Sequence, residues 1–252
     1  MRLFNASIAL GLSLGAAFGE TVAYWRFEDN GDSQANAASF ALELSPSVQF
    51  SGDVPGANIL CDGQKLPNRF SYGNGKSEEG TKLPASDQLE QLIGLGSFTI
   101  EGFLRLNDGA AKEQHMRIIG DAYYRGSPGG WSIGVTSGKL VFSALQELNT
   151  TDESAPTSLI STKVLTESAW HHFAIVGYRN AEALVIRLFI DGEETEVERK
   201  SNFYAAASGG PAIKPNKDPY LISAKNIFLG EIDELRISDA ALDPSEFLTV
   251  SP

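Results

Sequence analysis

The sequence predicts an all-β protein, a two-sheet antiparallel β-sandwich, and three observations carry this prediction. Apolar and polar residues alternate with a period of two along many short segments, for example over residues 98–105, as in a strand with one buried face. These segments are rich in Val, Ile, Phe and Thr, which suit a pleated surface. Pairs such as Ser137-Gly138 and Asp191-Gly192 separate them, and Gly tolerates the positive φ that a hairpin turn needs.

The expected strands run along most of the chain. The first covers residues 24–28, where Trp25 and Phe27 share one face. The others are expected at residues 98–105, 117–121, 131–136, 139–145, 170–178, 183–190, 195–200, 226–229 and 232–237. Two short helical segments are expected at residues 86–92, with Ser86 as the cap, and at 244–248. Segments 63–80 and 205–219 are rich in Gly, Pro, Asn, Ser and Lys and are expected to be loops.

The first 19 residues have the composition of a secretory signal peptide. Arg2 precedes an apolar run from Ile8 to Phe18, and the small residue Gly19 stands before the polar Glu20. The run is shorter than the ~20 apolar residues of a membrane-spanning helix, so we expect no membrane insertion. Residues 1–19 are expected to be removed, and residues 20–252 to form one domain that is secreted or held at the cell envelope.

Charge and cysteine content narrow the class of partner and the compartment. The net charge of −12 makes nucleic acid and anionic membrane surfaces poor partners, because both attract basic surfaces, and we expect no nucleic-acid binding. Cys61 is the only cysteine, so no internal disulfide forms, and its side chain is expected to be a buried thiol. An exported protein without disulfides favours a bacterial source. The sequence leaves the oligomeric state open.

Four motifs in order resemble a known family. Residues 24–29 (YWRFED) resemble its opening strand and 97–103 (SFTIEGF) its central strand, with Phe103 in the usual Trp position. Residues 170–174 (WHHFA), followed by 188–192 (LFIDG), are similar to its W-H-H-V-A…Y-V-D-G hairpin, and 230–237 (GEIDELRI) to its closing strand. The chain thus resembles a laminin-G-like jellyroll domain of the concanavalin A-like lectin/glucanase superfamily. The resemblance implies two packed antiparallel sheets and a sugar-binding or adhesive module.

The closing strand also resembles half of a catalytic motif. Glycosidases of the same superfamily carry E-x-D-x-E on one strand, and Glu231 and Asp233 supply the first two acids. A retaining mechanism needs a second suitably placed carboxylate, but Leu235 and Arg236 stand where it belongs. Glu234 is expected on the opposite face of the strand. We therefore expect no catalytic residues and a protein that is not an enzyme, with a glycoside hydrolase as the alternative.

Asp233 and Asp29 are candidate ligands of a structural Ca²⁺. Asp233 is expected to share the core face of its strand with Leu235 and Ile237, where its charge is costly unless a cation or hydrogen bonds neutralise it. Asp29 is placed in the same way relative to Trp25. Oxygen ligands suit Ca²⁺, and the resemblance adds that related sandwiches often carry calcium in this region. In the alternative interpretation, both aspartates only accept backbone hydrogen bonds.

The histidine pair His171 and His172 is expected to be structural. His115 is the only other histidine, and the spacing fits neither a zinc motif nor a nucleophile elbow. Alternation predicts one histidine of the pair buried and hydrogen-bonded, and the other on the opposite face of the sheet.

Sugar binding requires exposed aromatic faces beside hydrogen-bonding groups. The candidates are the loop residues Tyr123, Tyr124, Arg125 and Tyr204. The tryptophans Trp25, Trp131 and Trp170 lie in alternating strands and are expected in the core. The predicted function is a secreted, non-catalytic module that binds carbohydrate or another extracellular polymer; an adhesion or scaffold module with a protein partner is the other alternative.

Overall fold

The structure is a computed structural model that describes residues 19–28, 40–74, 80–83, 88–89, 92–93, 96–120, 130–144, 157–179, 184–199, 220–222 and 228–252. Strands dominate these ranges, as the alternation predicts. In chain order they are β1 (Thr21–Trp25), β2 (Val48–Ser51), β3 (Asn58–Cys61), β4 (Gln64–Pro67), β5 (Ser71–Asn74), β6 (Thr81–Lys82), β7 (Phe98–Leu106), β8 (Met116–Gly120), β9 (Trp131–Thr136), β10 (Lys139–Ala144), β11 (Thr157–Val164), β12 (Trp170–Arg179), β13 (Leu184–Ile190), β14 (Glu193–Glu194), β15 (Val197–Arg199), β16 (Tyr220–Ile222), β17 (Gly230–Ser238) and β18 (Thr249–Val250).

The strands form three antiparallel sheets. The front sheet has eight strands in the order β14-β13-β12-β7-β17-β5-β2, with β1 also paired to β17. The back sheet has seven strands in the order β15-β11-β10-β9-β8-β16-β6. The cover sheet has three strands in the order β18-β3-β4. The strand β17 is central, because β7 lies along one of its edges while β5 and β1 share the other.

The main core lies between the front and back sheets. Trp25, Ile100 and Phe173 of the front sheet and Ile133 and Phe142 of the back sheet belong to one fully buried cluster. This is the predicted β-sandwich, in which two inner faces supply alternate residues to one core.

A second, smaller cluster lies on the outer face of the front sheet. There Tyr24 and Phe103 pack against Ile59 and Cys61 of the cover sheet and against Leu248. The cover sheet and the C-terminal segment, residues 244–250, thus form a third layer over part of the sandwich.

The predicted hairpin turns are confirmed. Asp191 and Gly192 have φ values of 57° and 77°, and Ser137 and Gly138 have 50° and 74°. Both residues of each pair are left-handed, as a two-residue turn matched to strand twist requires. A third such turn, Asp62-Gly63 with φ values of 49° and 76°, joins β3 to β4.

Some element predictions are wrong. The expected loop at residues 63–80 contains β4 and β5, and the Asp62-Gly63 turn was the missed signal. The strand β11 was not predicted, because its pairing with β10 shifts register and adjacent Leu159 and Ile160 break the alternation. Phe228 and Leu229 are not in a strand.

The two helical predictions agree with the described residues. Residues 88–89 and 92–93 are helical, and Pro244–Glu246 form a 3₁₀ turn capped by Asp243. Segment 205–219 lies outside the described residues. No helix in the described ranges is long and apolar enough to cross a membrane.

We predict that Gly134→Ala destabilises the sandwich while Gly52→Ala does not. A Cβ at residue 134 would lie 2.1 Å from the carbonyl oxygen of Met116 on the adjacent strand, and overpacking of this kind costs about 1–3 kcal/mol. A Cβ at residue 52 meets nothing within 4 Å. Urea unfolding measures both variants against the parent chain. Equal midpoints for the two variants would contradict the prediction.

Candidate functional site

A β-bulge in β17 determines where the charged residues of the closing strand point. The register against β7 shifts between Asp233 and Arg236, and Glu234 has a left-handed φ of 51°. Ile232 and Leu235 therefore both face the main core although they are three residues apart. On the other edge, β5 pairs with Glu231 and Ile232, whereas the pairing with β1 begins at Leu235. The bulge thus lies where these two partner strands meet.

The bulge corrects the orientation expected for Asp233 and Glu234. Uninterrupted alternation places Asp233 on the core face and Glu234 opposite. In the structure both side chains take their partners from the outer side of the front sheet, and both residues are 0% exposed. The prediction that Asp233 is buried is confirmed, but the layer that buries it is the outer one.

Glu234 is held by the end of the first strand. The Arg26 guanidinium donates from Nε and Nη2 to its carboxylate over 2.8–3.2 Å, and the Tyr24 hydroxyl donates to it as well. Arg26 Nη2 also donates to the carbonyl oxygen of Pro67 at 2.5 Å, which ties this pair to the cover sheet. Burial raises the pKa of Glu234, although Arg26 and Tyr24 act in the other direction.

Asp233 accepts two hydrogen bonds. Asn68 Nδ2 donates to its Oδ2 at 2.8 Å, and the backbone N–H of Glu234 donates to its Oδ1 at 2.9 Å. Burial raises the pKa of Asp233 well above its usual range, and the negative charges of Glu234 and Glu28 add to this effect.

Arg236 and Glu101 form the second buried ion pair of this face. Arg236 donates to Glu101 Oε1 from Nε at 2.8 Å and from Nη2 at 2.5 Å, and to Asp62 from Nη1 at 2.8 Å. The other oxygen of Glu101 is bonded to His172 Nε2 at 2.9 Å and to the Leu248 N–H at 2.8 Å. Burial opposes ionisation of Glu101, but His172 and Arg236 outweigh it and hold the pKa of Glu101 below its usual value.

The thiol of Cys61 borders this network. Arg236 Nη1 lies 3.5 Å from its Sγ. Burial raises the pKa of Cys61 to about 11, against the opposing charge of Arg236. The predicted burial of this thiol is confirmed, with an exposure of 8%.

The carboxylates of the closing strand have little access to a substrate. Asp233 and Glu234 are fully buried, and the Glu231 side chain is 16% exposed and paired with Arg105 at 3.0 Å. A retaining glycosidase needs two carboxyl groups that both face the sugar.

A shallow depression of about 60 Å³ on the back sheet is lined by serines such as Ser132 and Ser143, and by no carboxylate among the described residues.

Of the two expected calcium ligands, Asp233 is described and Asp29 lies outside the described residues. Within the described ranges, no three His, Cys, Asp or Glu side chains are arranged to hold a metal ion. One buried oxygen beside Asp233 nevertheless lacks a described hydrogen-bond partner. It is Oδ1 of Asn68, a residue that is 4% exposed and whose Nδ2 bonds to Asp233. Leaving such an oxygen unpaired is costly.

A depression that we call the Trp170 groove lies between the start of β12 and the C-terminal segment. Its volume is about 280 Å³, and its lining includes Phe103, Trp170, Asp191 and Phe247. Trp25 and Trp131 are in the core as predicted, with exposures of 0% and 4%. The core prediction is wrong for Trp170, which is half-buried and only borders the smaller cluster. Trp170 lies two residues before His172 in β12 and therefore shares the outer face of the front sheet, whereas Phe173 and Ile175 of the same strand face the main core.

Polar groups hold Trp170 and the rim of its groove in place. Trp170 Nε1 donates to Asp53 Oδ1 at 2.9 Å, and the other oxygen of Asp53 lies 3.5 Å from Arg105 Nη2. Across the groove, Asp191 is bonded to His171 Nδ1 at 3.0 Å and to Lys163 Nζ at 3.1 Å. Burial opposes ionisation of Asp191, but these two partners lower its pKa.

The prediction for the histidine pair is confirmed. His172 is 7% exposed and bonded to Glu101 on the outer face of the front sheet. His171 accepts the Thr166 N–H at Nε2, at 3.0 Å, and bonds to Asp191. Both therefore have structural partners.

The predicted ligand residues Tyr123, Tyr124, Arg125 and Tyr204 lie outside the described residues. The strands that flank them end on one side of the back sheet. Tyr123 to Arg125 connect β8 to β9, and Tyr204 lies between β15 and β16. These strand ends lie side by side. Gly120 pairs with both Ser132 and Tyr220, and Ala144 pairs with both Trp131 and Thr157.

The chain matches the model of a known protein family. The Laminin_G_3 family model, described as Concanavalin A-like lectin/glucanases superfamily, matches residues 76–247. No curated protein sequence matches the chain.

Comparison with solved structures finds the same fold. The binding domain of Paraclostridial Mosquitocidal Protein 1 has 15% identity and a TM-score of 0.60 over 90% of this chain and 50% of that chain. The binding domain of botulinum neurotoxin serotype D/C has 14% identity and a TM-score of 0.59 over 90% and 50%. A structure of botulinum neurotoxin type C, whose cell entry depends on interaction with two ganglioside molecules, has 13% identity and a TM-score of 0.52 over 90% and 49%. The chain thus spans about half the length of these structures, and at such identities the likeness concerns the fold alone.

We predict that breaking the buried pair costs far more than breaking an exposed one. Arg236→Met leaves Glu101 buried without its cation, which is expected to cost about 3–5 kcal/mol. The matched control is Arg187→Met. Its ion pair with Glu194 has side chains 36% and 49% exposed, and such pairs contribute less than ~1 kcal/mol. Urea unfolding measures both, and equal losses would show that the Glu101 pair is not the stronger constraint.

Proposed function

Because the chain belongs to the Laminin_G_3 family of the concanavalin A-like lectin/glucanases superfamily, we propose that it is a secreted, non-catalytic module that binds carbohydrate. The observation that carries this proposal is the Trp170 groove. Its lining includes the half-buried ring of Trp170, the buried rings of Phe103 and Phe247, and the carboxylate of Asp191. Asp53 lies beside the groove, where it accepts a hydrogen bond from Trp170. Sugars are bound by such sites, since their C–H faces stack on aromatic rings while their hydroxyls bond to fixed polar groups.

The groove is small and held in place. Its volume of about 280 Å³ lies near the lower end for small-molecule sites, which favours one or two sugar units at the end or branch of a chain. The bonds of Trp170 to Asp53 and of Asp191 to His171 and Lys163 fix its edges. Preorganised side chains lose little conformational entropy when a ligand binds.

A hydrolytic function is less well supported. The carboxylates that resemble a glycosidase motif are buried in ion pairs and hydrogen bonds, and none of them lines the aromatic groove. We propose export to the cell surface or medium on the basis of residues 1–19, and a bacterial source on the basis of the single cysteine. Tyr123, Tyr124, Arg125 and Tyr204 remain proposed as a second contact surface at one end of the back sheet.

We also propose a structural Ca²⁺ near Asp233. The buried Oδ1 of Asn68, which has no hydrogen-bond partner among the described residues and lies beside a buried carboxylate, fits a cation that needs oxygen ligands. Asp29 follows Glu28, whose charge raises the pKa of Asp233 and which therefore lies within electrostatic reach of it. Asp233, Asn68 and Asp29 would hold the ion, which would neutralise the buried charge.

The test of sugar binding is a glycan array on the mature protein, with and without calcium, followed by titration of the sugar that binds. Trp170→Ala is expected to weaken binding tenfold or more, because loss of an aromatic contact of about 1.5 kcal/mol corresponds to a factor of about ten. The matched control is Phe70→Ala, an aromatic that is 38% exposed and outside the groove, and it should leave affinity unchanged. If the protein binds no class of sugar, the proposal is wrong and a protein partner is favoured. If Trp170→Ala and Phe70→Ala change the affinity equally, the Trp170 groove is not the binding site.

The test of the calcium site is thermal unfolding with calcium and with EDTA. Calcium at about 100 times its Kd should stabilise the parent chain by about 2.7 kcal/mol, a rise in Tm of several degrees. Asp233→Asn should abolish this rise. In EDTA it should be at least as stable as the parent, since Asn buries no charge. Glu198→Gln, whose parent side chain is 60% exposed, is the control, and an unchanged parent Tm in EDTA would contradict a tight site.

A further inference from the structure

The start of β1 is fastened to the end of β17 by two hydrogen bonds. The backbone N–H of Glu20 donates to Oδ1 of Asp239 at 2.6 Å, and the N–H of Asp239 donates to the carbonyl oxygen of Glu20 at 3.0 Å. The ladder continues inward from the pair Thr21 and Ser238. Glu20 is therefore the point at which the chain joins the front sheet.

The residue before Glu20 is small for a structural reason as well as for cleavage. A Cβ at Gly19 would lie 2.3 Å from the Cβ of Ala240, so a larger residue collides with the segment that follows β17. Small residues are also what the cleavage site of a signal peptide requires. Gly19 meets both requirements at the predicted boundary.

We propose that removal of residues 1–19 converts the Glu20–Asp239 contact into an ion pair that locks β1 onto β17. This inference rests on the secretion part of the proposed function. Hydrolysis of the Gly19–Glu20 peptide bond by a signal peptidase consumes one water and leaves a carboxylate on Gly19 and an amine on Glu20. The amine takes up a proton near neutral pH, because α-amino groups have pKa values of about 7.7–8.0. The nitrogen that donates to Asp239 as a neutral amide in the precursor then carries a positive charge.

Stabilising the start of β1 also affects the buried charges on the outer face of the front sheet. This strand carries Tyr24 and leads directly into Arg26, the two partners of buried Glu234. It also supplies the edge pairing of β17 beyond the bulge, from Leu235 to Ser238. An ion pair at Glu20 therefore stabilises the first residue of the segment that carries both partners of Glu234. Removal of residues 1–19 thus makes the exported form more stable than its precursor.

The first experiment determines where the exported protein begins. Intact mass spectrometry of the protein recovered after export should show Glu20 as the first residue. A start at Met1 would overturn both the secretion proposal and this inference. A start at another residue would overturn this inference alone.

The second experiment separates the charge from the hydrogen bond. Four proteins are compared by thermal unfolding: the chain that begins at Glu20, the same chain with the natural Gly19 kept before Glu20, and each of these with Asp239→Asn. The Asn keeps an acceptor oxygen but removes the charge, and the retained Gly19 keeps the N–H but moves the ammonium away without the collision that a Cβ at this position would cause.

Asp239→Asn is expected to lower the Tm by about 1–4 °C in the chain that begins at Glu20, the range for an exposed pair in a protein of this size. It should lower the Tm less in the Gly-extended chain, and the difference should shrink in 1 M salt, which screens exposed charges. An equal effect in both chains, or no effect in the first, would overturn the ion pair.

Discussion

Pairing of buried charge on the outer face of the front sheet is the constraint on which the third layer depends. A plain two-layer sandwich leaves that face in water, where Glu101, Glu234 and Arg236 would need no partners. Here all three are 1% exposed or less, and an unpaired charge in such surroundings costs several kcal/mol. Arg26, His172 and Asp62 neutralise or bond them. These partners come from the end of β1, from β12 and from the cover-sheet turn, so the layers hold one another in place.

The strands could be predicted because their alternation is local, whereas the closing strand could not be oriented from sequence. Its bulge arises where β5 ends and β1 begins along the same edge of β17, and that junction joins parts of the chain that are far apart in sequence. The polar strand β4, with Gln64 and Lys65 exposed, carries no alternation to detect. Trp170 looks like a core residue in sequence, but it lies on the outer face of β12, and sequence alone does not show which face of this strand meets the main core.

The proposed binding surface and the buried network share side chains. His172 lines the Trp170 groove and bonds to Glu101, and Leu248 lines the groove while its N–H donates to the same carboxylate. The Asp191 N–H donates to the carbonyl oxygen of His172, so the turn at the rim is tied to the same point. A ligand in this groove therefore contacts a frame that is already rigid.

The reactivity of Cys61 can report how often the third layer opens. It is the only thiol in the chain, it lies in β3 of the cover sheet, and its pKa of about 11 keeps it protonated at neutral pH. The thiolate is the form that thiol reagents attack, so labelling should be much faster in molecules whose cover sheet has opened and restored an ordinary thiol pKa. The rate of alkylation therefore counts the detachment of this layer separately from unfolding of the sandwich. The alkylation rate of this single cysteine thus measures, without any engineered probe, how often the cover sheet detaches from the sandwich.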